Sequence, residues 1–182
     1  MRKRIAAGFT LIEMVIVIAI AMVLTGIAIP SIINAMNAYR FSAAVSAVAG
    51  AVQTTRFQAI MKGCQYQLIF TPSSASYQVY SEVPATGSTT GCLTSPAAVG
   101  TSIPLPAQGY VTVTGETCSV TMSSTTCTGT MTPITGSTVT YTFYPNGTVT
   151  SSPSLTGIQI SNSFESNTVW VSGVGNATAS SP

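Results

Sequence analysis

Between Phe9 and Ile29 the chain reads FTLIEMVIVIAIAMVLTGIAI, 21 residues with one charge, Glu13. Coiled as an α-helix at ~1.5 Å per residue, such a run is roughly 30 Å long, the thickness of a bilayer's hydrocarbon core. A helix that is apolar on every side has no face to give to water, so the run reads as a membrane segment. Arg2, Lys3 and Arg4 flank it on the N-terminal side. Cationic flanks stay in the cytoplasm, so the N-terminus is expected inside and everything after Pro30 outside.

A secretory signal places its small-residue cleavage site after the apolar run. Here Ala6-Ala7-Gly8 come before it. Cutting after Gly8 would remove the basic leader, residues 1–8, and keep the hydrophobic helix, leaving a chain that begins Phe9-Thr10-Leu11-Ile12-Glu13. In these residues the sequence resembles the type IV pilin and type II secretion pseudopilin superfamily, whose leader ends in Gly followed by F-T-L-I-E. The resemblance implies cleavage after Gly8 by a membrane prepilin peptidase and N-methylation of Phe9. It further implies residence in the bacterial inner membrane, then assembly with other pilin or pseudopilin subunits into a periplasmic or extracellular filament.

Glu13 can be weighed physically. A carboxylate within an apolar helix costs roughly 2.5–3.5 kcal/mol near the bilayer centre and less near an interface, so it usually has a partner. It could snorkel to the headgroups. The alternative is pairing with the α-ammonium freed at Phe9 by cleavage, most plausibly that of a neighbouring subunit, which the resemblance also implies.

Charge excludes most chemistry. Only 5% of the residues are charged, comprising six Lys/Arg and four Glu, with no Asp and no His. Ser-His-Asp and Cys-His nucleophiles and His-bearing metal sites are therefore impossible. Glu13, Glu82, Glu116 and Glu165 lie far apart, without metal-ligand spacing. The expectation is a protein without catalytic residues, cofactor or metal.

Apolar residues continue at helical spacing past Pro30, at Ile32, Ile33, Met36, Val45, Val48, Val52, Ala59 and Ile60. Residues 30–62 thus read as an amphipathic continuation that Pro30 kinks or locally melts rather than ends, with Gly63 as its stop. Residues 63–172 then carry short β-branched and aromatic runs between turn residues. Expected strands are Gln65–Phe70 and Ser76–Glu82 as a hairpin, Tyr110–Thr114, Ser119–Met122, Thr138–Tyr144 and Thr148–Ser151 about an Asn-Gly turn, Gly157–Ser161 and Thr168–Ser172. Residues 83–109 read as a long loop and 173–182 as a flexible tail. The expected class is α+β, one long helix packed on an antiparallel β-sheet or β-sandwich domain.

Cys64, Cys92, Cys118 and Cys127 all lie in the part expected to be exported, where disulfides form. Of three connectivities, Cys118 with Cys127 closes a local loop and Cys64 with Cys92 ties the long loop to the helix end; these are the favoured pairs. Asn146-Gly147-Thr148 and Asn176-Ala177-Thr178 match a glycosylation sequon but read as turn and tail. Tyr141, Phe143 and Trp170 alternate in strands and read as core rather than as a binding platform.

Within the superfamily the nearest likeness is to the GspH/FimT type, through Arg56-Phe57-Gln58-Ala59-Ile60 and the F-x-P-x-G turn Phe143-Tyr144-Pro145-Asn146-Gly147. Some FimT-type minor pilins bind DNA through a C-terminal cationic motif. This chain has no Lys or Arg after Lys62, and residues 63–182 carry three Glu, net −3. Nucleic acid is therefore an unexpected partner. A surface-binding or DNA-binding tip module, for adhesion or DNA uptake, is the alternative to a purely structural subunit. A strong DNA binder loses about 0.9 log units of affinity per log unit of salt for each phosphate contacted. A fragment from Ser31 onward is expected to bind duplex DNA no better than weakly near physiological salt in an anisotropy titration, and submicromolar affinity would contradict this.

Overall fold

The computed structural model describes residues 9–84, 91–106, 109, 111–118, 122–123, 126–127, 131–134, 138–154 and 156–180. Its one long helix, α1, is Leu11–Lys62. Phe9 and Thr10 precede it rather than opening it, because Thr10 acts as its cap. At the other end Gly63 adopts φ 65° and its N–H reaches the Ala59 carbonyl at 3.1 Å, a left-handed stop that residues with a Cβ disfavour.

The chain divides into two compact units, residues 1–39 and 40–182. In the first, every described side chain from Phe9 to Ala35 is exposed. In the second, Phe41, Ala44, Val45, Val48, Ala51, Val52, Thr55 and Ala59 form one buried helical face. Of the apolar residues that the sequence spaces along residues 30–62, only part is buried in this unit. Ile32, Ile33 and Met36 are exposed, and burial starts at Phe41. Ile60 is exposed as well.

Twelve strands follow among the described residues: β1 Tyr66–Thr71, β2 Ser76–Ser81, β3 Ala97–Pro104, β4 Thr112–Cys118, β5 Met122–Ser123, β6 Thr126–Cys127, β7 Met131–Ile134, β8 Val139–Phe143, β9 Val149–Ser152, β10 Thr156–Ser161, β11 Ser166–Val171 and β12 Ala177–Ser180. They form two five-stranded antiparallel sheets, ordered β3-β2-β1-β8-β9 and β12-β11-β10-β4-β7, and a small β5-β6 pair. The fold is α+β, as the pattern predicts. The helical face shares one core with Leu68, Phe70, Val139, Tyr141 and Phe143 of the first sheet and Val113, Ile158, Ile160 and Val169 of the second. Strict alternation puts these residues on one side of each strand.

Two contacts hold the sheets in register. The Tyr141 hydroxyl, fully buried, donates to the Thr156 carbonyl at 2.9 Å, joining β8 to β10. Gly115 lets β4 approach β8 so closely that a Cβ there would lie 2.6 Å from Val139 Cγ2. This explains one correction. The sequence reading breaks the chain at Thr114 and begins a strand at Ser119, whereas β4 runs unbroken to Cys118. Residues 119–121 lie outside the described residues, and Met122 belongs to β5.

Three further strands correct the reading. The expected loop 83–109 contains β3, which adds to the open edge of β2. The expected flexible tail contains β12, paired with β11 from Thr168↔Ser180 to Val171↔Ala177. β7, unforeseen because Pro133 interrupts it, is an edge strand, where a missing N–H can face away from the ladder.

Gly157 of β10 lies opposite Trp170 and Glu116. A Cβ there would meet Trp170 Cε3 at 2.7 Å and Thr168 Cγ2 at 2.8 Å, whereas one at Gly50, on the exposed side of α1, would meet nothing within 4 Å. The same change therefore has opposite signs. Gly157→Ala should destabilise the domain by about 1–3 kcal/mol through overpacking. Gly50→Ala should stabilise it by roughly 0.5–1 kcal/mol through helix propensity. Chemical denaturation of the two variants checks both signs.

Candidate functional site

The first turn of α1 carries the residues that the sequence singles out. The Thr10 hydroxyl accepts the Glu13 backbone N–H at 3.3 Å, and Thr10-Leu11-Ile12-Glu13 has capping-box spacing. A carboxylate in the first turn also faces the positive end of the helix dipole. Glu13 therefore has a reason to sit at this position within its own helix. Phe9 is 79% exposed just before it, so its backbone nitrogen and the Glu13 carboxylate belong to one uncovered helix start. Gly8 lies outside the described residues. The helix is continuous through Pro30, and it is long and apolar enough to cross a membrane.

A second group of residues gathers at the other end of α1, within the unit 40–182. Arg56 and Ile60 stand one helical turn apart, facing the β8-β9 turn: a Cβ on Gly147 would lie 3.7 Å from Ile60 Cδ1 and 4.0 Å from an Arg56 terminal nitrogen. The two segments that carry the GspH/FimT likeness are thus neighbours in space. Gly147 takes φ 84°, its N–H closing the turn onto the Tyr144 carbonyl at 2.9 Å. On the other side Gly175, at φ 74°, lets the β11-β12 turn press on the Arg56 side chain; a Cβ there would be 2.6 Å from Arg56 Cδ. Arg56 donates to Asn176 Oδ1 at 3.4 Å, while its Nε is buried without a hydrogen-bond partner among the described residues. Both sequon asparagines serve turns: Asn146 Oδ1 accepts from the Thr148 N–H at 3.0 Å and hydroxyl at 2.7 Å.

Cys64, just past Gly63, is bonded to Cys92, as the sequence favours. Cys118 is also in a disulfide, and the Cys127 side chain, its expected partner, lies outside the described residues. Tyr141, Phe143 and Trp170 are each fully buried. Trp170 and Thr168 alternate with the core residue Val169 and so occupy the opposite face of their sheet. There the Thr168 hydroxyl donates to the buried Glu116 carboxylate at 3.4 Å. No sequence signal marks Glu116 as buried; its neighbour Gly115 reads as a turn.

Residues 3–29 match the family described as the prokaryotic N-terminal methylation motif, which supports a type IV pilin-like protein. No curated protein and no solved structure matches the chain. Members of that family are structural subunits rather than enzymes.

Burial raises the Glu116 carboxyl above its ordinary 4.5, an effect that the Thr168 hydrogen bond partly offsets. Folding thus favours its protonated form, and the resulting stability is complete below the ordinary value and lost as pH rises through the raised one. Glu116→Gln removes this titration without changing shape. The melting temperature of the variant minus that of the native protein is expected to grow as pH rises above the ordinary 4.5. Curves that stay parallel as pH rises from 4.5 to neutrality would show that Glu116 does not titrate as described.

Proposed function

We propose that the chain is a structural subunit, a minor pilin or pseudopilin, that prepilin peptidase cleaves after Gly8 and that assembles through its N-terminal helix into a type IV pilus or type II secretion pseudopilus. The observation carrying this reading is the methylation motif at residues 3–29, which runs into a helical segment whose side chains are exposed from Phe9 to Ala35. Apolar surface of that extent needs either lipid or other helices around it. Moving from one to the other is what a subunit drawn from a membrane into a filament does.

In this mechanism the membrane stores the subunit and Glu13 sorts it. Cleavage after Gly8 frees an ammonium at Phe9, four residues from the carboxylate. Pairing it with a neighbour's Glu13 neutralises two charges that are costly in an apolar surrounding. The β-domain folds against residues Phe41–Ala59 and stays on the outside.

Glu13→Gln is expected to keep membrane insertion and the fold of residues 40–182 while lowering filament incorporation at least tenfold, a loss of ~1.4 kcal/mol or more. Sedimentation of sheared filaments, immunoblotting and mass spectrometry check it. The incorporated native chain should begin at a methylated Phe9. Normal incorporation of Glu13→Gln, or an assembled chain retaining Met1, would sink this mechanism.

A further inference from the structure

The domain 40–182 carries two exposed apolar features at opposite ends of its strands. At the end of α1, Phe57, Ile60 and Met61 are 64%, 45% and 67% exposed, on a face bordered by Arg56. At the tip of the β10-β11 hairpin, Phe164 is 82% exposed beside the exposed Glu165.

Register fixes where each lies. β1 pairs Tyr66 with Phe143, so the β8-β9 turn that touches Ile60 and Arg56 is at the helix-end side of the domain. The Val149 N–H bonds to the Gly173 carbonyl at 2.8 Å, placing the β11-β12 turn at the same side. Ser161 pairs with Thr112, and Thr112 lies with Pro72, Ser73 and Ser74 at the far end of β1. The Phe164 tip is therefore separated from the Arg56 face by the length of β11, roughly 20 Å for its six residues. One copy cannot close this contact on itself.

The tip is built to hold its shape. Asn162 Oδ1 accepts the backbone N–H groups of Phe164 at 2.8 Å and Glu165 at 2.7 Å, and the Asn162 N–H reaches the Glu165 carbonyl at 2.8 Å. A large aromatic is thus displayed in water with its backbone already ordered, so little entropy remains to be lost on docking. Its neighbour is a carboxylate. The face at the other end is apolar, bordered by a guanidinium that has no carboxylate partner among the described residues.

We infer that the Phe164-Glu165 tip of one copy docks on the Arg56-Phe57-Ile60-Met61 face of a second copy, Phe164 against Phe57 and Met61, Glu165 toward Arg56. Charge complementarity selects the occupant: Arg56 borders this face, and Glu165 is the carboxylate that stands beside an exposed aromatic. Unlike surfaces meet, so the contact is heterologous and repeats from copy to copy rather than closing as a two-fold dimer. This rests on the assembly reading above, to which it adds the surface used by the β-domains.

The test uses the full-length chain in its membrane and in sheared filaments, with a short bifunctional thiol cross-linker and two exposed positions that leave the apolar anchors in place, Gln53→Cys one turn before Phe57 and Ser163→Cys beside Phe164. The double variant is expected to give a ladder of dimers, trimers and higher species. Mixed single variants should give dimers only, and either single variant alone should give monomer. Adding Glu165→Lys, an exposed side chain outside the core, should weaken the ladder severalfold while leaving the thermal transition of the domain unchanged. A ladder in the membrane without filaments would uphold the contact and count against filament assembly. Filaments without a ladder, dimers from a single variant alone, or Gln53→Cys captured only by a different protein would each overturn the contact.

Discussion

The helical face from Phe41 to Ala59 shares one core with both sheets. Its residues are small or β-branched except for Phe41, and the bulk of the core comes from Phe70, Tyr141 and Phe143 on the strands. Among the described residues this core begins at Phe41. The run Phe9–Ile29 is apolar on nearly every side, and polar residues return at Ser31, Asn34 and Asn37 while the helix stays unbroken at Pro30.

With so few charges, the domain obtains its specificity from close approach. Gly115 and Gly157 stand where a methyl group would collide with Val139 or with Trp170 and Thr168, and these contacts fix how the strands cross. Tyr141 supplies a buried polar link between sheets, its hydroxyl proton held by Thr156 and its ionisation suppressed by burial. Such a core tolerates little change in volume, because density and rotamer fit replace ion pairs as the source of a unique arrangement. Glu116 is the exception, a carboxyl that is buried with a single long hydrogen bond.

How legible these features are in the sequence follows from the same physics. The strands with one face in the core, β1, β8, β10 and β11, alternate and are visible within two residues of their ends. β3, β7 and β12 are edge strands that no alternation marks. All eight residues of β3 are exposed, and only main-chain bonding to β2 makes it a strand. Glycine misleads in β4, where Gly115 is needed for close approach and reads as a break. The helix start is legible because Phe9 and Glu13 interrupt a pattern. Phe164, one aromatic in the polar segment Ser161–Ser166, is equally anomalous in sequence, but only the hydrogen-bonded hairpin shows that it protrudes.

The distribution of charge bears on what copies of this chain do when they meet. Past residue 8 all cations, Arg40, Arg56 and Lys62, are on the helix, while the rest of the chain beyond it carries only Glu82, Glu116 and Glu165. Two β-domains meeting face to face present like charge or none, whereas a β-domain meeting a helix end presents opposite charge. Exposed pairs of this kind contribute only about 0–1 kcal/mol, too little to hold an assembly together. Their effect is on orientation, disfavouring the symmetrical encounter and steering toward the head-to-tail one. In the proposed assembly, affinity then comes from apolar area: the exposed surface of the N-terminal helix, and the smaller Phe57-Met61 face at the end of the domain.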